Sequence, residues 1–180
     1  MGMLQRLFRR MGSSEPMTNI AAGGIAPGFS LKTIDGREIS LGKTLQQGPA
    51  VVAFFKVSCP VCQFTFPFLE RLYRRYGSGD VAFLGVSQDN AADSHDFARQ
   101  FGVTFPILID EKGYPVSNGY GLTNVPTFFL IDTDGAVKVS CMGFGKPELE
   151  AIAKELAEHR KIALAPLFAP GEDVPAHKPG

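Results

Sequence analysis

The chain contains no tryptophan and only three cysteines in 180 residues. An odd, sparse set of cysteines is not a disulfide scaffold. Net charge is also missing, since 18 basic and 18 acidic residues cancel. That argues against a nucleic-acid groove or an anionic membrane surface as partner. No apolar run is long enough for a transmembrane span. The start, MGMLQRLFRRMGSSEP, carries Arg6, Arg9 and Arg10 but no apolar run of signal-peptide length, which points to the cytoplasm. Arg6 stands where a myristoylation site wants Ser or Thr.

What is present suits one domain with tails, because 44% apolar residues supply one good core. The expected division is a flexible segment over 1–24, a folded domain over 25–162 and a proline-rich tail over 163–180. Leu4, Leu7, Phe8 and Met11 fall on one face of a short helical pattern, which reads as a frayed terminus. The tail holds Pro166, Pro170, Pro175 and Pro179 and reads as extended or disordered, with Leu164, Leu167 and Phe168 available to pack.

The stretch Ala50 to Phe68, AVVAFFKVSCPVCQFTFPF, organises the rest. Ala50 to Phe55 is apolar and reads as a buried strand. Val61, Phe64, Phe68, Leu72 and Tyr76 then recur at helical spacing. Cys59-Pro60-Val61-Cys62 lies at the junction. Cys59 falls at the expected N-cap, and Pro60 suits the first helical position, where no N–H is needed. The positive helix end then favours thiolate over thiol at Cys59. A thiolate is the species that attacks a disulfide. Cys62, three residues on, lies on the same side and is placed to resolve the mixed disulfide. The competing readings are two inert buried cysteines or a zinc site. A structural zinc site needs about four ligands, and Cys141, His95, His159 and His177 form no second ligand pair.

Other elements follow in order. Phe29, Leu31, Ile39 and Leu41 alternate around an Asp35-Gly36 turn and read as a hairpin. Val81 to Ser87 is a second buried strand, parallel to the first. Asn90 caps a helix ended by Gly102. Short segments at 105–110 and 114–120 precede a strand from Thr127 to Asp132 and its antiparallel return from Ala136 to Met142. Pro147 begins the last helix, with Leu149, Ile152, Ala153 and Leu156 facing the sheet. Cys141 alternates with Val137 and Val139 and reads as a packed free thiol.

Residues 26–160, about three quarters of the chain, resemble thioredoxin-fold redoxins of the AhpC/TSA and TlpA-like thiol-disulfide oxidoreductase group. The resemblance rests on Cys59-Pro60-Val61-Cys62, Pro67, Val125-Pro126-Thr127 and Leu130-Ile131-Asp132-Thr133-Asp134-Gly135. It implies a thioredoxin-like three-layer α/β/α sandwich with a mixed central sheet and an N-terminal β-hairpin extension. In the resembled fold the proline at position 126 is cis and faces the cysteines. The Val125 backbone before it is a free edge for an extended substrate. The implied activity is thiol-disulfide exchange, with Cys59 and Cys62 catalytic. Val125, Pro126, Ser58, Pro60 and Val61 line the substrate groove. The implied partners are protein dithiols or disulfides and a thiol reductant or oxidant, and no metal or organic cofactor is implied. Proteins of this fold also work outside the membrane.

The sequence departs from the pattern at several places. Ser58 replaces the usual tryptophan, and its hydroxyl is either bonded near the Cys59 sulfur or solvated. Ala53 and Thr65 stand where thioredoxins and TlpA-like proteins place a buried carboxylate. Proline leads the dipeptide, as in glutaredoxins, which predicts a disulfide more oxidising than that of typical thioredoxins. A peroxidase is the alternative, since the hairpin and the long crossover also resemble peroxiredoxin-like members. Their motif sets a proline and a Thr or Ser ahead of the reactive cysteine. Aligned on Cys62 it meets Phe55 and Cys59, and aligned on Cys59 it meets Val52 and Lys56. Neither alignment fits. A non-enzymatic redox-sensing or binding module is a third reading.

Overall fold

A computed structural model of the chain describes residues 19–180. The helical pattern at Leu4 to Met11 lies outside the described residues. Strand β3 (Ala50–Phe55) is buried along its whole length, and its side chains divide between two cores. Val51, Ala53 and Phe55 enter one, while Ala50, Val52 and Phe54 enter the other. A continuous apolar run at period two can be buried only inside a sheet covered on both faces. Strand β6 (Thr127–Ile131) divides likewise, with Phe128 and Leu130 opposite in face to Phe129 and Ile131.

The two strands are antiparallel neighbours at the centre of a five-stranded sheet. Beyond β3 lie β4 (Ala82–Ser87) and β5 (Ile107–Ile109), both parallel to it, and beyond β6 lies β7 (Val137–Met142), antiparallel. Helices α2 (Pro60–Tyr76), α3 (Ala91–Phe101) and α5 (Lys146–Arg160) contribute apolar side chains to the first core. Helices α1 (Leu41–Leu45) and α4 (Pro115–Gly119), with Tyr120, contribute to the second. The result is a mixed sheet between two helical layers. The hairpin of β1 (Ser30–Lys32) and β2 (Glu38–Ser40) stands apart as its own two-stranded sheet. Leu41 does not continue that hairpin. It begins α1, and the Thr44 hydroxyl donates back to the Ser40 carbonyl at 2.9 Å.

Local chemistry sets the helix ends. The Asn90 side chain accepts the Asp93 N–H at 2.9 Å, and Gly102 ends α3 with a φ of 68°, where a Cβ is disfavoured. Helix α2 runs unbroken through Pro67. Glu70, on its buried side, accepts the Thr104 N–H at 2.8 Å and so fastens α2 to the loop after α3.

The ends of the described chain are both engaged. Ser140 donates to the Ile20 carbonyl at 2.7 Å, and Gly23 donates to the Val137 carbonyl at 2.8 Å. The proline-rich segment 163–180 is nearly without regular structure and lies against the domain. Phe168 is buried, and β9 (His177–Lys178) pairs antiparallel with β8 (Phe144–Gly145). Phe168 reaches a pocket of aromatic rings on α2 and β8, which repays the ordering of a segment poor in other apolar residues. No helix among the described residues is long and apolar enough to cross a membrane.

Candidate active site

The C-terminal end of β3 delivers the chain to the first turn of α2. Cys59 is the N-cap, with extended backbone angles, and Pro60 holds the first helical position. The Cys62 N–H, one of the donors that the first helical turn leaves unpaired, donates to the Cys59 Sγ at 3.2 Å. A donor and the positive helix end therefore both face the Cys59 sulfur. On its other side the Cys59 thiol donates to the Val125 carbonyl at 3.3 Å. The Val125–Pro126 peptide bond is cis.

Cys59 is half-buried and Cys62 fully buried. Burial first, and the adjoining Cys59 sulfur second, hold the Cys62 thiol well above its ordinary range. The pair is therefore asymmetric, with one sulfur open to a partner and the other dry and protonated. Cys141 is likewise buried, and desolvation followed by the Glu148 charge pushes it up to about 12.

The loop before Cys59 is held from three directions. The Cys59 N–H donates to the Lys56 carbonyl at 3.2 Å, and Gln63 Nε2 donates to the Val57 carbonyl at 2.9 Å. The Val57 N–H donates to Asp89 Oδ2 at 2.8 Å, and the Asp89 charge adds to the upward push on Cys62.

Of the residues singled out in the sequence, the structure brings Cys59, Cys62, Val125 and Pro126 together. Pro60 and Val61 form the first turn between the cysteines, Pro60 exposed and Val61 half-buried. Ser58 is exposed, and the Cys59 sulfur instead accepts from the Cys62 N–H and donates to the Val125 carbonyl. Ala53 and Thr65 are buried, and the Thr65 hydroxyl is spent on the Val61 carbonyl at 2.6 Å. Sequence reasoning missed Asp89. Its only signal there is a polar turn, Gln88-Asp89-Asn90, after a buried strand.

Among the described residues no group of three or more His, Cys, Asp or Glu side chains gathers as a metal site. A cavity of 520 Å³ lies on α5 against Leu164 and Leu167 and includes neither cysteine of the pair.

Comparison with known proteins agrees with this geometry. The AhpC/TSA family model matches residues 22–140. The thiol-disulfide oxidoreductase ResA of Geobacillus thermodenitrificans is 38% identical over 123 residues, covering 67% of this chain and 69% of that one. ResA of Bacillus thuringiensis is 32% identical over 136 residues, covering 74% and 78%. Among solved structures, MTB DsbF in its mixed oxidised and reduced forms superposes with a TM-score of 0.62 at 27% identity, covering 72% of this chain and 93% of that one. The chain belongs to the AhpC/TSA family and is a thioredoxin-fold thiol-disulfide oxidoreductase.

Proposed function

We propose that Cys59 is the attacking thiol and Cys62 the resolving thiol of a dithiol/disulfide exchange with polypeptide partners. The Cys59 thiolate attacks one sulfur of a partner disulfide, forming a mixed disulfide and releasing the other sulfur as a thiolate. Cys62 then loses its proton and attacks the Cys59 sulfur. The Cys59–Cys62 disulfide forms, and the partner leaves as a dithiol once its thiolates are protonated. Run backwards, the same steps oxidise a partner dithiol. A second thiol couple returns the pair to its starting state. Val125, Pro126, Ser58, Pro60 and Val61 line the approach of the partner to Cys59.

The observation that carries this reading is the asymmetry of the pair. Cys59 is reachable and faces a helix-end donor, while Cys62 is buried one turn further in. A peroxidase needs a hydroxyl and an arginine at the reactive sulfur. The described partners of Cys59 are instead a backbone N–H and a backbone carbonyl.

The deciding experiment follows loss of free thiols in the reduced protein against hydrogen peroxide and against a disulfide. Disulfide exchange predicts rapid, Cys59-dependent reaction with the disulfide and a peroxide rate no higher than that of an ordinary thiol. A peroxide rate orders of magnitude faster, abolished by Cys59→Ser, would establish the peroxidase instead.

A further inference from the structure

Residues after α5 cross the domain and reach the surroundings of Cys59. Phe168 packs on Phe68 with ring centroids 5.3 Å apart. Arg71 grips Glu172 through two hydrogen bonds, at 2.9 and 2.7 Å. The Lys146 N–H donates to the Ala176 carbonyl at 2.9 Å, and β9 then pairs with β8. Lys178 Nζ stands 4.4 Å from the centre of the Phe64 ring, one turn into α2 beyond the cysteines.

The chain next passes over Gly143, a residue with a φ of 78°. A Cβ there would collide with the Lys178 carbonyl and stand 2.9 Å from the Gly180 nitrogen. Asn124 Nδ2 donates to the Gly180 carbonyl at 3.1 Å. A Cβ built on Gly180 would lie 2.6 Å from the Val125 carbonyl oxygen, the same atom that receives the Cys59 thiol. Only a residue without a side chain approaches that closely.

An extended polypeptide presenting a disulfide to Cys59 would use the main-chain edge offered by Val125 and by β8. The protein's own residues already occupy both. We propose that His177–Gly180 is an intramolecular strand seated on the polypeptide-docking edge, so that a polypeptide disulfide must displace it while a small disulfide reaches Cys59 without doing so. This rests on Cys59 being the attacking thiol.

The strap is held unevenly along its length. Its near end is anchored by Phe168 and the Arg71–Glu172 pair. Its far end is a strand of two residues with His177, Pro179 and Gly180 exposed. Pro179 has no N–H to extend the ladder. A partner therefore competes with a short, weakly held strand, and its apparent affinity falls by the fraction of molecules with the edge open.

The test uses the full chain carrying Lys178→Pro, which removes a β9 N–H and the ammonium over Phe64. Glu172→Arg is a second variant that frees the strap from its near end by repulsion from Arg71. Single-turnover rates of the reduced proteins are measured with insulin as polypeptide disulfide and with cystamine as small disulfide. Both variants should reduce insulin about tenfold faster than wild type, with cystamine rates unchanged. Insulin rates equal to or below wild type in folded variants that still reduce cystamine would overturn the strap alone. Failure of every form, wild type included, to reduce either disulfide through Cys59 would overturn the exchange reading and the strap with it.

Discussion

Asp89 Oδ2 accepts the Val57 N–H at 2.8 Å and thereby ties the loop ahead of Cys59 to the end of β4. Its negative charge also acts on the buried Cys62 thiol. Burial is the main reason the Cys62 thiol is held up, and Asp89 adds to it in the same direction. Asp89→Asn keeps an oxygen for Val57 and removes the charge. The Cys62 thiol should then ionise more readily, so resolution of the Cys59 mixed disulfide should reach its alkaline plateau at a lower pH. The release of a chromogenic thiol from that mixed disulfide, followed across pH, measures this. A profile identical to wild type would leave Asp89 a purely structural tie.

In the proposed exchange Cys62 has one task, and its removal should stop the reaction midway. Cys62→Ser treated with cystamine should accumulate a mixed disulfide at Cys59, seen as one added cysteamine by intact mass. Cys59→Ser should accumulate none, because the remaining Cys62 sulfur is fully buried. Labelling of Cys59→Ser at the wild-type rate would reverse the assignment of the two cysteines.

Glu70 is 4% exposed and accepts three hydrogen bonds, from the Thr104 N–H, the Thr104 hydroxyl and Arg74 Nε. Glu70→Ala strands the Thr104 donors and should cost about 2 kcal/mol, the scale of hydrogen bonds to a charged acceptor. Arg74 is solvent-exposed, so Arg74→Ala should cost below about 1 kcal/mol. Urea midpoints of the two variants decide the ranking. Equal losses would mean that the ion pair, and not the link to Thr104, matters.

Cys141 is pushed from 9.0 up to about 12 by burial and then by the Glu148 charge. A raised folded-state pKa means that the unfolded chain gives up its proton first as pH rises. The stabilisation is whole below pH 9 and is lost progressively up to about 12, at a slope near 1.4 kcal/mol per pH unit. Cys62 acts in the same direction. The reduced protein should therefore soften above pH 9, and Cys141→Ala should soften less steeply. Urea midpoints at pH 8 and at pH 10.5 measure the difference. Parallel slopes would show that Cys141 ionises equally in both states.

Much of this protein is written in short-range pattern. The run Ala50 to Phe55, the proline after Cys59 and the three-four spacing from Val61 to Tyr76 state a buried strand, a helix start and a cysteine pair at their junction. The Asn90 cap and the Gly102 stop are equally local. Each depends on residues within one or two helical turns, so a linear reading recovers it. Which face of β3 meets which helices is not local, since both faces are apolar, and the crossovers of the chain decide it.

The ties that shape the site lie further out. Asp89 meets Val57 across 32 residues, Glu70 meets Thr104 across 34, and Asn124 meets Gly180 across 56. A single polar contact at such separation leaves no periodicity in the sequence. The course of the proline-rich tail was hidden for the same reason. Its composition reports only that it cannot build a core of its own. That Phe168 finds an aromatic pocket, and that Gly180 finds the Val125 carbonyl, depends on tertiary contacts with Phe68, Phe144 and Val125 that lie far off in the sequence.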